Sequence, residues 1–257
     1  MLALAVLAPS MAQAAANEEV RSVPTRRGVT QGFLLVRPPG SPVASVILFA
    51  GGEGRLALSS SGIGQLRGNF LVRTRERFAR AGFLVALVDT PSDRADYWNF
   101  RASGAHAEDV KQVIAALRAI APVPVWVVGT SMGTLSAANA AARLTEGGPD
   151  GLVLTSTVTQ TSRQSGESVR TVRLGEIRVP TLIVLHRDDG CRASPPSDAP
   201  TVLKALTQSP RKEILTFEGG SPPRSEPCEA MAQHGFLGIE ADVVEAIARW
   251  IRAQSPS

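Results

Sequence analysis

Apolar residues in this chain gather in short unbroken runs, separated by longer stretches in which they recur every three or four positions. Residues 32–37 (GFLLVR), 44–50 (ASVILFA), 83–88 (FLVALV), 123–128 (VPVWVV), 152–156 (LVLTS), 181–186 (TLIVLH) and 212–217 (KEILTF) have the length of strands. Several are apolar on both faces, which suits central strands of a sheet covered on both sides. Residues 70–81, 105–120, 132–144, 202–208 and 236–252 read as helices between and after them. The first helix runs into Gly82, a residue suited to a helix C-terminus, and Pro124 is expected at the start of its strand. Strand and helix alternate from end to end, which predicts an α/β protein with a mostly parallel sheet and helices on both faces. No internal repeat or linker breaks the alternation, so residues 17–257 are expected to form a single domain.

The first sixteen residues stand apart. MLALAVLAPSMAQAAA carries no charge, is apolar over positions 2–8, breaks at Pro9-Ser10 and offers Ala12-Gln13-Ala14 as a small-residue cleavage site. Residues 1–16 therefore read as a signal peptide, although the usual positive residue at its start is missing. They are too short for a membrane span, and no later stretch reaches the roughly 18 apolar residues a spanning helix needs. The expectation is an exported chain, periplasmic or secreted, with no membrane span. At 44% hydrophobic and 19% charged, the composition can bury a sizeable core and excludes collagen-like and disordered chains. The net charge of +4 comes from 24 Arg and 3 Lys that are scattered rather than clustered, so no nucleic-acid partner is expected.

Chemistry enters at Gly129-Thr130-Ser131-Met132-Gly133, a G-x-S-x-G pattern placed directly after an apolar strand and opening a helix. A nucleophilic serine needs such a tight strand-to-helix turn to stand clear of the sheet, and side chains at the flanking glycines would meet neighbouring backbone. In this context the chain resembles the α/β-hydrolase superfamily over nearly its whole length, in particular compact esterase and dienelactone-hydrolase types. The resemblance implies an α/β-hydrolase fold and the chain order nucleophile, acid, histidine. Asp188 and Asp189 follow the strand TLIVLH, and His234 precedes the last helix within QHGFLG. The implied catalytic set is Ser131, Asp189 and His234. Asp188 remains an alternative acid, because Arg187 stands where the family's segment has Gly and the spacing is one residue shorter.

Of the other histidines, His106 lies upstream of the serine and is expected to cap a helix or face solvent, whereas His186 is expected to orient the acid loop. FAGGEG (49–54) resembles the family's oxyanion loop with Ala50 in place of His, which implies Gly52 as one amide donor and Met132 as the other. Cys191 and Cys228 are the only cysteines. An even count in an exported chain predicts a disulfide, which would tie the acid loop to the histidine loop. Two Cys and one His without a C-x-x-C pair do not make a zinc site, and neither metal nor organic cofactor is implied.

Only residues 157–179 separate two successive strands where larger relatives insert a helical cap, and that segment is polar, so no large cap domain is expected. The loop after the strand FLVALV holds Tyr97 and Trp98, candidates for a substrate wall or for packing beneath the loop. Arg55, Arg94, Arg101, Arg187 and Arg192 also lie on loops, where arginine either meets an anionic substrate or is simply solvated. The leading reading is a serine hydrolase acting on a small-molecule ester or related acyl bond. A peptidase or amidase on the same fold, and a non-catalytic binding protein, are the alternatives. The substrate and the oligomeric state are not legible in the sequence.

Overall fold

The structure, a computed structural model, describes residues 18–162 and 165–254. The predicted signal peptide lies outside the described residues. Eight strands form one sheet in the order β1-β2-β4-β3-β5-β6-β7-β8. They are β1 (Glu18–Pro24), β2 (Thr30–Val36), β3 (Ala44–Phe49), β4 (Phe83–Pro91), β5 (Val125–Thr130), β6 (Gly151–Thr155), β7 (Thr181–His186) and β8 (Lys212–Phe217). β1 and β2 are antiparallel to their neighbours, and every pairing from β4 through to β8 is parallel. The mostly parallel sheet is as expected, except that β1 had no counterpart in the hydrophobic pattern. Its sequence, EEVRSVP, is polar because it pairs on one side only and is largely solvated.

Side chains alternate across the sheet and feed two separate cores. Phe33, Leu35, Ile47, Val127 and Leu154 face one way, packing on α2 (Gly104–Ile120) and α3 (Gly133–Arg143). Leu34, Val46, Leu48, Trp126 and Val128 face the other way, packing on α1 (Phe70–Arg80) and α5 (Glu240–Arg252). Both faces of the central strands are thus covered, which is why their sequences are apolar without alternation. α1 follows β3 and α2 follows β4 on opposite faces, so the chain reverses direction at β3, which lies between β4 and β5. The loops leaving β3 and β5 diverge there and open a crevice at the carboxyl ends of the strands.

Two helices begin elsewhere than the apolar spacing suggests. The helix expected over 202–208 is α4 (Ala199–Ala205), because a 3₁₀ turn at Pro196–Asp198 leads straight into it. The terminal helix starts at Glu240 rather than 236, since Phe236 (φ 57°) and Gly238 (φ 87°) hold left-handed backbone incompatible with a helix. The connection from β6 to β7 contains two single 3₁₀ turns, Val169–Thr171 and Leu174–Glu176, and no helical cap among the described residues. Nor is any helix among them long and apolar enough to cross a membrane.

His106 neither caps a helix nor faces solvent. Ser103 caps α2, while His106 is fully buried among Phe49, Tyr97 and Phe100, and neither ring nitrogen has a hydrogen-bond partner. Burial, with added repulsion from Arg101 and Arg26, pulls its pKa from 6.5 down to about 3. The folded state therefore holds this ring neutral while the unfolded chain protonates it. Stability is intact above the unfolded pKa and is lost as pH falls from about 6.5 towards 3. Between pH 7.5 and 5 this one group should remove about 2 kcal/mol, before carboxylates contribute. Urea unfolding at the two pH values should show that loss in the wild type and a smaller one in His106→Phe. Equal losses would refute the assignment.

Candidate active site

The turn after β5 is built by exclusion. A Cβ at Gly129 would run into the backbone of Gly133, and one at Gly133 would run into the Phe49 and Ala50 carbonyls at the end of β3. With both positions bare, the chain reverses within a few residues, and Ser131 is left in left-handed backbone at φ 52°. Non-glycine residues adopt that conformation only when their surroundings impose it. Here the Ser131 N–H donates to the Thr155 carbonyl (3.0 Å), and its carbonyl accepts the Thr134 hydroxyl (2.6 Å) from the first turn of α3. Met132 has helical backbone and precedes α3, so its N–H belongs to the helix's unbonded N-terminal set. The turn leaving β3 comes close beside it: a Cβ on Gly51 would lie 2.8 Å from the Ser131 Cβ.

Asp189 and His234 meet from loops 45 residues apart. His234 Nδ1 lies 2.9 Å from Asp189 Oδ2, and both side chains are almost wholly buried. Asp189 Oδ1 accepts the Cys191 N–H (2.9 Å), and Oδ2 also accepts the Ser194 hydroxyl (3.3 Å), which lies 3.1 Å from His234 Nδ1. A carboxylate with these partners holds the imidazole as the Nδ1–H tautomer and leaves Nε2 with a free lone pair. Nε2 is buried and has no hydrogen-bond partner. Asp188 points elsewhere: it is exposed and ion-paired with Arg187, whose hydrogen bond holds its carboxyl below the ordinary range. Of the two aspartates that the sequence left open, Asp189 is the one that meets His234.

The histidine loop is held from below. The Ser156 hydroxyl, on a residue itself at φ 46°, donates to the His234 carbonyl (2.7 Å), and Phe236 packs on Phe70 at 4.9 Å between ring centres. Arg73 of α1 donates to the carbonyls of Gly68, Ala230 and Gly235 and pairs with Glu240 at 2.9 Å. His186 orients the acid loop as expected, with Nε2 3.0 Å from the Gly219 carbonyl and Nδ1 accepting the Asp188 N–H at 3.0 Å. Cys191 and Cys228 are joined by a disulfide across 37 residues, linking the two loops.

These segments surround a cavity of about 370 Å³ whose lining includes Gly52, Ser131 and His234, with Leu66, Phe70 and Met231 as its bulkier apolar residues. Among its lining residues only His234 and Glu229 are ionisable. None of the five loop arginines lines it: Arg187 pairs with Asp188 and Glu218, Arg94 stacks on Phe100 at 4.3 Å, and Arg101 is buried. Arg55 and Arg192 are exposed. Tyr97 and Trp98 are also absent from the lining. The Tyr97 hydroxyl is buried on the Asp89 carbonyl (2.6 Å), so this ring packs under its loop, and Trp98 packs beside Met132 and Leu135. Sequence reasoning missed Ser194, Ser156 and Arg73, which carry no motif and reach the site only through tertiary contacts.

Solved structures carry the same architecture at low sequence identity. A lidless α/β serine hydrolase from Xanthomonas campestris superimposes with a TM-score of 0.63 at 16% identity, covering 94% of this chain and 96% of that one. An esterase from Pyrococcus furiosus gives 0.67 at 12% identity, covering 97% and 96%. A thermostable carboxyl esterase from Bacillus coagulans gives 0.61 at 13% identity, covering 92% and 98%. No protein-family model and no curated protein matches the sequence. The chain thus has the α/β-hydrolase fold, with no helical cap among its described residues.

The disulfide closes a loop that, by chain entropy, should contribute about 3–4 kcal/mol. Replacing both cysteines with serine should lower the unfolding free energy by that amount in urea titrations. A change under about 1 kcal/mol would show that the bond adds little constraint.

Proposed function

We propose that this protein is a serine hydrolase that cleaves an ester or related acyl bond in a small molecule through an acyl-enzyme intermediate. One observation carries the reading: His234, paired with Asp189 and with its Nε2 unpartnered, lines the same cavity as Ser131 on its constrained turn. In this mechanism Ser131 Oγ bonds to the substrate carbonyl carbon as His234 Nε2 takes its proton, and Asp189 stabilises the imidazolium. The amides of Gly52 and Met132 bind the oxyanion. Collapse breaks the ester C–O bond, and Nε2 returns the proton to the departing alkoxide. Water, deprotonated by the same nitrogen, then attacks the acyl carbon; collapse breaks the bond to Ser131 Oγ, which recovers the proton from Nε2 as the acid leaves.

The fold shared with esterases supports this chemistry, and the cavity's size suits a small substrate. A lining without arginine favours neutral acyl groups over anionic ones. The disulfide is compatible with an oxidising compartment, and together with the leader-like first sixteen residues it supports export.

A fluorophosphonate probe, followed by peptide mass spectrometry, should label Ser131 alone, and Ser131→Ala should abolish labelling. That variant should lose ester hydrolysis by about 10⁴-fold or more. No labelling of the folded, oxidised wild type would overturn the reading in favour of a binding protein. Asp189→Asn should lower kcat by on the order of 10²–10⁴, whereas Asp188→Asn should stay within about twofold. The reverse ranking would reassign the acid.

A further inference from the structure

Arg101 is a fully buried arginine whose hydrogen bonds all go to neutral groups. Its Nη2 donates to the Ala50 carbonyl (3.0 Å) and the Gly52 carbonyl (3.1 Å), and its Nη1 donates to the Ser136 hydroxyl (2.8 Å) in α3. The guanidinium lies 4.7 Å from the Tyr97 ring centre, and its Nε has no partner. Glu167 is the acid whose field reaches it, but that carboxylate accepts the Ala102 N–H rather than a bond from Arg101. Desolvation pulls the guanidinium pKa down to about 10, which still leaves it charged at neutral pH. A buried cation without a bonded counter-ion is unfavourable, so its position calls for a reason beyond packing.

That reason lies in the turn it grips. Four consecutive carbonyls are occupied: Ala50 and Gly52 by Arg101, Gly51 by the Gly54 N–H (3.2 Å), and Glu53 by the Tyr97 N–H (2.9 Å). Every peptide here is trans, so in each plane the N–H points opposite to the held carbonyl. The amides of Gly51, Gly52 and Glu53 are thereby set. Ser136 lies in the first turn of the helix that Met132 precedes. One side chain therefore spans both backbone segments that bear the proposed oxyanion donors.

We propose that Arg101 is the positioning residue of the oxyanion site, holding the peptides on either side of the Gly52 amide, tying their turn to the helix that Met132 precedes, and placing a fixed positive charge behind both donors. The inference rests on the serine-hydrolase reading. Donors help a transition state only if they are oriented before charge develops, and a tethered turn needs no reorganisation.

Wild type, Arg101→Met, Arg101→Lys and Ser136→Ala are compared on p-nitrophenyl acetate and for inhibition by phenylboronic acid, with urea unfolding as the check on folding. Arg101→Met should lose about 10–100-fold in kcat while KM stays within about threefold, and boronate affinity should fall with kcat. Arg101→Lys, which keeps the charge but reaches fewer carbonyls, should recover part of the loss. Ser136→Ala, which cuts only the tether to α3, should lose about 3–10-fold in kcat. An unchanged kcat, a loss confined to KM, or boronate binding that ignores the substitution would overturn the role. If Arg101→Met does not fold, Arg101→Lys and Ser136→Ala decide, and full activity in both would overturn it. A wild type inert to both ester and fluorophosphonate would instead overturn the underlying hydrolase reading, and this inference with it.

Discussion

Gly133 rests against the carbonyls that end β3, and Gly129 rests against Gly133, so at two α-carbons there is room only for hydrogen. The functional end of the molecule is arranged around that close approach. It forces the chain out of β5 into a reversal too tight for ordinary backbone, leaves Ser131 at positive φ, and starts α3 within two residues. It also draws the β3 and β5 loops together at the point where the strand order reverses. The strain at Ser131 is held by bonds to β6 and to α3, and those bonds connect the serine to the sheet and to a helix that packs on it.

Around this fixed turn the rest of the site is suspended by donors to backbone carbonyls. Arg73 grips three carbonyls of the loops that wall the cavity, and Arg101 grips two carbonyls of the turn beside Ser131. A guanidinium suits this work because its donors fan out in one plane and can meet several acceptors at once. Arginine therefore shapes the site from behind while the cavity itself stays poor in charge. In the proposed hydrolase mechanism, an oxyanion forming there would face amide dipoles and little competing charge, the condition under which preorganised donors are most effective.

The acid and histidine loops reach the site from the far side of the sheet. Asp189 is fixed by three donors, His234 by Ser156 beneath its carbonyl, and the disulfide joins the two loops next to both residues. The pairing thus depends on contacts among segments far apart in the chain. The irregular loops are long and rich in proline, and few local interactions would hold them otherwise.

The apolar runs determined the strands by themselves, since burial on both faces demands apolar residues at every position. The G-x-S-x-G turn was equally legible, because its glycines answer a local steric need. The polar edge strand β1 was not, because an exposed edge imposes no pattern. Nor could one sequence separate Asp188 from Asp189: adjacent residues of one type differ only in which faces the interior, and that direction is set by β7 and the His186 bonds. His106 and Arg101 have the composition of surface residues, yet they are buried because the loop after β4 folds over the end of β3. Local sequence determined the covered strands, the helices and the serine turn, but not the edge strand β1. Tertiary packing alone decided which polar side chains turn inward, because burial of a polar group depends on partners that other segments bring to it.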